Sequence, residues 1–457
     1  MWIETQEVKE TVMKHSLYVK QYGDEIQKYQ VVHLDTFRGF SEISSGNGAG
    51  LPGVADIYRR FLVPACPWLF PDMILFQNPA PAVKKTQDLP FVGSVQDTLV
   101  HARQILSGNL VCRNGKVHGV TEAAQALWQH LQETGMAYVI RGKRPGLAVI
   151  PVGTEMGYLS AHASEGSLLC NASFFIMNPF DCASPYDHIG QPFGLMIQDG
   201  IVRRPPLYDR PVLLVDNQGK VQVTRTRLRR ISIGTYTFTE GTDCIFHMRP
   251  NVFRTPAVSG QDLVLIGDRV AAVHAGGKTI VPASGLVVQT QKAVPMEPGM
   301  HVVYRDWENV QFGIQGGCSA VQSGIPTDSM DAAFFHPGIV MGPRRAYPPT
   351  LYSRKFTQAR AARMVIGCDR HAQPMLIWAE GAPKVGYVPG QHSRGATLQE
   401  TNETCAFLGM RDGIHIDGGG SAQILLSSQR HLQLADRHAD GTEMERAIPS
   451  GFRYCAP

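Results

Sequence analysis

The segment Ile414-His415-Ile416-Asp417-Gly418-Gly419-Gly420-Ser421 constrains this chain more than any other stretch. A short run that alternates about a histidine carries a carboxylate to its end, and three glycines and a hydroxyl follow. Residues without Cβ let the backbone turn tightly and let a ligand approach its N–H groups. Clustered N–H groups attract anions such as phosphate. An acid, a loop of bare amides and a serine in succession fit a site that binds an anionic substrate and cleaves a bond in it. The same residues also fit a plain hairpin turn between two strands, so the rest of the chain has to decide.

The 457 residues suffice for two or three domains or one elaborate core. With 43% apolar and 18% charged residues, the composition is that of a globular protein. A net charge of only +4 gives little reason to expect a nucleic-acid partner. No run approaches the roughly 18 apolar residues of a membrane span, so no membrane partner is expected either. The start, Met1-Trp2-Ile3-Glu4-Thr5-Gln6-Glu7, lacks the basic and apolar regions of a secretory leader. The nine cysteines are odd in number, scattered and free of any Cys-x-x-Cys, which argues against a zinc ribbon or a disulfide framework. A cytoplasmic, reducing setting is the expectation. No His-Glu-x-x-His occurs, and neither a metal nor a cofactor is expected.

Texture divides the chain into three parts. In residues 1–145, the segments 95–106 and 121–134 have helical apolar spacing, with Ala124, Leu127, Trp128 and Leu131 on one side of the second. A proline-rich stretch from Pro64 to Pro81 reads as loop. This part is expected to be a partly helical N-terminal region of unknown role. From about residue 146, short apolar or alternating runs recur between turn signals, among them Val212–Val215, Asp262–Ile266, Val310–Ile314, Met364–Ile366 and Met375–Trp378. One helix interrupts them from Thr397, where Thr397-x-x-Glu400 forms a capping-box pattern. Many strands with few helices indicate an α+β domain over 146–428, followed by a polar C-terminal tail, 429–457.

Several shorter patterns are weaker. Gly46–Gly53 only superficially matches a dinucleotide fingerprint and reads as loop. Ala272–Thr279 ends in Gly277-Lys278-Thr279 but opens no helix, so it reads as a turn rather than a phosphate-binding loop. Arg225, Arg227 and Arg229 would share one strand face, which a solvated basic surface explains better than nucleic-acid binding.

The order of the remaining pieces carries more than any single one. Asn171-Ala172-Ser173-Phe174-Phe175 comes first, then Gln191–Gly200 and Val310–Gly317. Arg363-Met364-Val365-Ile366-Gly367, Arg394-Gly395-Ala396-Thr397-Leu398-Gln399-Glu400 and Ile414–Ser421 follow. This series resembles the phosphodiester glycosidase family over about residues 146–428. The resemblance implies a β-rich mixed-sheet catalytic domain acting on a sugar joined to phosphate. It carries Asn171 onto the family's Asn-Gly-Gly-Phe-Phe element and Arg363 onto its Arg-Thr-Ala-Ile-Gly element. It carries Glu400 onto the acid of Gly-x-Thr-Leu-x-Glu, and Asp417 with Gly418, Gly419, Gly420 and Ser421 onto Asp-Gly-Gly-Gly-Ser. The chain departs from the family at Ala172-Ser173, at Met364 and at His415-Ile416.

The residue types suit that chemistry. Cleaving a sugar C1–O–P linkage needs a carboxylate near C1, as nucleophile or as a stabilising charge. It also needs cations and amides around the departing phosphate. Asp417 is the expected carboxylate, with Glu400 as partner acid/base. Their separation would set the stereochemistry, about 5 Å for retention and more than about 6.5 Å for inversion. Arg363 can grip two phosphate oxygens, and the amides of Gly418, Gly419 and Gly420 can hold others. His415 shares a strand face with Asp417 if the strand continues, as a substrate contact or proton carrier, unless it is a hydrogen-bonded core histidine. Glu400 can equally serve only to close its helix cap, Arg363 to pair with a carboxylate in a half-buried strand, Asn171 to satisfy a turn, and Ser421 to cap one. The expected function is glycoside hydrolysis, or glycosyl transfer, on a sugar phosphate or glycosyl phosphodiester. The alternatives are a non-catalytic module that binds such a ligand, and a repurposed member that tailors a glycosylated small molecule.

Overall fold

The computed structural model describes residues 2–44, 157–175, 191–328, 358–426 and 442–455 apart from short gaps, together with a few isolated residues and short strands. Among these residues the largest sheet has eight antiparallel strands. In spatial order they are Trp2–Glu10, Met13–Tyr22, Glu25–Leu34, Pro374–Ala379, Arg363–Asp369, Met410–Ile416, Ser319–Gln322 and Ile325–Pro326. A second sheet runs Arg430–His431, Ile424–Leu426, Ser167–Asn171, Ser450–Cys455 and Phe40–Ser44. A third holds Ile201–Arg204, Met196–Gln198, Val310–Gln315, Pro211–Asp216 and Val221–Arg225.

The centre of the large sheet is covered on both faces. Met364, Ile366, Cys368, Leu376, Trp378, Ile414 and Ile416 join one buried cluster with residues of the second and third sheets. Val365, Met375, Ile377 and Ala379 join another with Cys405, which lies on the helix Leu398–Phe407. Successive strand residues point to opposite faces. A strand buried on both faces therefore reads as a continuous apolar run instead of an alternation, which explains the texture of Met364–Ile366 and Met375–Trp378. Each large side chain removed from water here contributes about 1.5–3 kcal/mol.

The N-terminal region departs from the helical expectation. Its first 44 residues form the strands Trp2–Glu10, Met13–Tyr22, Glu25–Leu34 and Phe40–Ser44, with one short 3-10 turn at Phe37–Gly39. Tyr18, Val19, Tyr29, Val31 and Val32 supply the aromatic and β-branched residues that strands favour. Gly23-Asp24 makes a two-residue hairpin turn, with Gly23 at φ +63°. The segments expected as helices at 95–106 and 121–134, and the loop 46–53, lie outside the described residues.

Both ends of the chain are woven into these sheets. Glu25–Leu34 pairs with Pro374–Ala379, and Phe40–Ser44 pairs with Ser450–Cys455. The latter strand also pairs along Ser167–Asn171. The stretch after residue 428, read from the sequence as a tail, thus closes the second sheet. The three-arginine stripe does not form: Arg225 ends one strand, the next begins at Arg230, and Arg225, Arg227 and Arg229 are exposed. Most of the segment read as a turn at 272–279 belongs to the strand Arg269–Gly277.

A notch in the central sheet shows how tightly it is packed. Gly367 and Gly413 face each other across adjacent strands. A Cβ on Gly367 would lie 2.2 Å from the carbonyl oxygen of Asp412, whereas one on Gly413 would lie 2.3 Å from the Met410 sulfur. The first obstacle is backbone and the second a flexible side chain. We expect Gly367→Ala to lower stability by about 1–3 kcal/mol and Gly413→Ala by less. Thermal melts of the two variants check the order.

Candidate active site

The glycine turn sits where the strand Met410–Ile416 emerges from the covered sheet. Residues 412–416 and 421–425 are buried, whereas Asp417, Gly418, Gly419 and Gly420 keep partial solvent access. Gly419 has φ +61°, and a Cβ added there meets nothing within 4 Å, so the turn borders open space. Gly418 is closed on its other side, since a Cβ would lie 2.9 Å from the Ala362 carbonyl oxygen.

Two strands hold this turn by its backbone. Asp417 N–H donates to the Ala172 carbonyl at 3.3 Å, and the Asn171 side-chain amide donates to the Asp417 carbonyl at 2.7 Å. The other end of the same side chain accepts from Gln423 N–H at 3.1 Å. Asn171 is 1% exposed, and its amide is committed to backbone. It positions the turn, in line with the turn-satisfying reading of this residue. Gly419 N–H donates to the Ala362 carbonyl at 2.8 Å, and Gly418 N–H to the Asp417 carboxylate at 2.9 Å. Of the three expected phosphate-binding amides, only that of Gly420 has no acceptor among the described residues.

The Asp417 carboxyl also accepts a hydrogen bond from the Ser421 side chain and feels the charge of Arg446. Burial pushes its pKa up from 3.8 to about 6, against the opposing pull of Ser421, Arg446 and Gly418 N–H. Asp417 keeps partial access to solvent while protein mass surrounds its carboxyl. Arg446 is brought there by Gln423, whose side-chain amide donates to the Arg446 carbonyl at 2.8 Å. The sequence offered no signal for Arg446, which lies in polar sequence without periodicity or motif. Ser421 is 1% exposed and serves the acid as a donor.

The other expected residues take different places. Extending the register Met364↔Ile416 by one puts Arg363 opposite Asp417. Arg363 is nevertheless only 3% exposed, and its guanidinium donates to the carbonyls of Ala396 at 3.2 Å and Ala359 at 2.6 Å. Those bonds replace the two-oxygen grip on phosphate expected of it. His415 is 2% exposed and shares its Nε2 with the Asn402 side chain at 2.7 Å. Burial, and secondarily the Arg363 charge, pushes its pKa down to about 3. It is a neutral core histidine fastening strand to helix, not a proton carrier.

Glu400 belongs to the helix start. Thr397 Oγ1 accepts from Glu400 N–H at 3.1 Å, and Glu400 Oε2 accepts from Thr397 N–H at 2.9 Å, which completes the capping box. The same carboxylate accepts from Gln27 at 2.9 Å, from Arg394 at 3.3 Å and from Arg360. Burial acts to raise its pKa, but the Arg360 bond, Thr397 N–H and Gln27 outweigh it and hold the carboxyl below its ordinary value. Between Glu400 and the glycine turn runs the segment 359–363. Arg360 bonds Glu400, Ala361 pairs with Ala396, and the Ala362 carbonyl takes Gly419 N–H. The structure thus gathers Asn171, Asp417, Ser421 and Arg446 and gives Glu400 a separate structural setting.

Residues 259–453 match the family model of the phosphodiester glycosidases. That match includes Arg363, Glu400, the glycine turn and Arg446, and stops short of Asn171. No curated protein matches the chain. Among solved structures, a hypothetical protein from Synechocystis is similar at 14% identity and a TM-score of 0.41, over 97% of this chain and 62% of that one. This chain therefore spans less than two thirds of that protein's length. A putative exported protein from Burkholderia pseudomallei matches at 14% identity and a TM-score of 0.39, over 100% of both chains. The catalytic domain of zebrafish N-acetylglucosamine-1-phosphodiester alpha-N-acetylglucosaminidase, auto-inhibited by its pro-peptide, matches at 10% identity and a TM-score of 0.39. That alignment covers 100% of this chain and 88% of the zebrafish domain.

The raised pKa of Asp417 fixes the sign of a stability effect. The folded state binds this proton more tightly than the unfolded state, whose value is near 3.8. Stability is therefore unpenalised below 3.8 and falls as pH rises through about 6. Asp417→Asn removes the penalty while keeping an oxygen for Gly418 N–H. We expect the variant to melt higher than wild type above pH about 6 and to converge with it below 3.8, as a pH series of thermal melts would reveal.

Proposed function

We propose that this chain, a relative of the phosphodiester glycosidases through residues 259–453, cleaves or transfers a glycosyl group from a sugar-phosphate diester. The observation that carries this reading is Asp417: a partly accessible acid on a glycine turn, with a pKa lifted to about 6 and an arginine acting on it. A carboxyl tuned toward neutrality yet still in partial contact with solvent marks a functional group more often than a structural one.

In this reading Asp417 approaches the anomeric carbon, as nucleophile or as a charge against the oxocarbenium-like transition state. Gly418 N–H and Ser421 orient its oxygens. A phosphate monoester is a good leaving group and needs little protonation, so the chemistry does not require Glu400 as an acid. Glu400, ionised between Arg360 and Arg394, instead fixes the helix start against strand Glu25–Leu34 through Gln27. Arg446, with Gly420 N–H, takes the part first assigned to Arg363 and stabilises the departing phosphate.

The direct test is incubation of the pure protein with a glycosyl phosphodiester and measurement of released or transferred sugar. We expect kcat/KM to rise with pH through about 6, as Asp417 ionises. Asp417→Asn should lose at least about 100-fold, the scale of removing one preorganised electrostatic group. Binding without turnover, unaltered by that substitution, would leave only a ligand-binding module. Glu400→Gln should lower the melting temperature and leave the position of the acid limb in place. A limb displaced by Glu400→Gln would return Glu400 to the chemistry.

A further inference from the structure

Two adjoining cavities, of about 280 and 470 Å³, open at the end of the sheets opposite the glycine turn. The strand Arg363–Asp369 separates them from Asp417. Its first residues lie beside Ile416, whereas His371, Ala372 and Gln373, which follow its last, line the smaller cavity. At about 3.3 Å per residue this seven-residue strand spans roughly 20 Å. Phe37, Arg38, Gln311 and Phe312 border both cavities. We propose that the two cavities form a second small-molecule site, which binds a free α-amino acid with an apolar side chain. The inference is independent of the phosphodiester reading.

Three observations carry it. The first is fixed charge of both signs. Arg38 is exposed where the two cavities meet, and its guanidinium has no hydrogen bond or ion pair among the described residues. Asp35 and Asp216 border the smaller cavity with it. One oxygen of Asp216 accepts Gln218 N–H and Lys220 N–H, both at 2.9 Å, and the other has no hydrogen bond among the described residues. A zwitterion matches this arrangement, with its carboxylate on Arg38 and its ammonium between the aspartates. Phosphate would face the aspartates, and a polyamine would meet Arg38 in both cavities. Among the described residues no three His, Cys, Asp or Glu side chains gather closely enough to hold a metal ion.

The second is an apolar floor. Phe37 and Phe312 stack with ring centroids 6.0 Å apart, and Phe40, which borders the larger cavity, lies 5.8 Å from each. All three belong to the buried cluster beneath the large sheet, which fixes their positions. An aliphatic or aromatic side chain laid on this floor takes its own apolar surface out of water. The larger cavity falls within the roughly 300–1,000 Å³ of small-molecule sites.

The third is the rigidity of the walls. Asp369 accepts His371 N–H at 2.7 Å and Gln373 N–H at 3.0 Å, and Thr36 Oγ1 accepts Arg38 N–H at 3.2 Å. With the turn that Asp216 ties, three turns are fixed before any ligand arrives, which lowers the cost of binding. Of the four described non-glycine residues with positive φ, Asp199 at +53° and Ala372 at +62° border these cavities. Glycine would adopt that backbone without strain, and strained residues gather at ligand clamps. The methyl of Ala372 packs against the same cluster as the three phenylalanines and extends the floor.

Calorimetric titration of the intact chain with L-leucine and with L-phenylalanine tests the site, and both should bind saturably. N-acetyl-L-phenylalanine lacks the ammonium, and L-phenylalaninamide lacks the carboxylate. Each should bind at least about tenfold more weakly than L-phenylalanine, the worth of one charge-assisted hydrogen bond. Arg38→Ala should weaken L-phenylalanine by a similar factor and leave the amide unchanged. The double variant Asp35→Asn, Asp216→Asn should weaken L-phenylalanine and leave the N-acetyl derivative unchanged; the new amide at 216 retains the oxygen that ties its turn. Asp417→Asn should bind as wild type does, which separates this site from the catalytic one. No saturable heat with either amino acid, derivatives that bind as well as L-phenylalanine, or binding indifferent to Arg38→Ala in protein of unchanged melting temperature would overturn the site. So would binding lost in Asp417→Asn.

Discussion

The burial of both faces of the central sheet governs where chemistry can occur. Any polar side chain on the strands Arg363–Asp369 and Met410–Ile416 must find its partners inside the protein, because an unpaired buried charge is far too costly. Arg363 meets this demand with two backbone carbonyls, and His415 meets it by staying neutral on Asn402. Both side chains are spent at least in part on holding the sheet to its neighbours. At the strand's end, where the chain leaves the covered layer, Asp417 regains partial access to solvent. The position of Asp417 follows from the layering, not from any property of aspartate.

Asp417 and Glu400 illustrate how surroundings divide labour between two like residues. Both carboxyls are withdrawn from water, which raises the pKa of each. Glu400 regains the loss from an arginine bond, a backbone N–H and a glutamine amide, and ends below its ordinary value. Asp417 receives less and ends near 6. A carboxylate held ionised by two arginines is a strut. One left close to neutrality is available to chemistry.

The sequence made local features legible and left convergent ones hidden. The capping box at Thr397 and Glu400 was readable because both partners lie within one helical turn. The runs Met364–Ile366 and Met375–Trp378 were readable because double burial writes a contiguous apolar string. The glycine turn was readable because successive residues without Cβ are rare enough to mean something. What it could not reveal was the destination of each hydrogen bond. The Gly419 amide goes to Ala362, the Arg363 guanidinium to Ala359 and Ala396, and the Glu400 carboxylate to Arg360, Arg394 and Gln27. Gln27 and Glu400 are 373 positions apart in the chain, and no periodicity reports such a pairing. The N-terminal strands are hidden in the sequence for a different reason. The helical spacing at 95–106 and 121–134 dominates the texture of residues 1–145, and one Gly23-Asp24 turn between two β-favouring runs is a weaker signal.

The role given to Arg446 follows from charge balance. A phosphodiester brought beside Asp417 adds negative charge next to an acid that burial already discourages from ionising. Like charges in a shared site raise the pKa further, and an acid protonated at working pH could neither attack nor stabilise a cationic centre. A cation between the two relieves both the acid and the phosphate, and its influence grows as water is excluded. Arg363 sits in register with Asp417 but has its guanidinium turned to carbonyls. Arg446 is the arginine whose charge already lowers the pKa of Asp417 in the folded protein. Gln423 ties its backbone to the same Asn171 that holds the turn. In the proposed reading, acid, arginine and phosphate form one electrostatic unit, in which the arginine keeps the acid ionised when the substrate arrives.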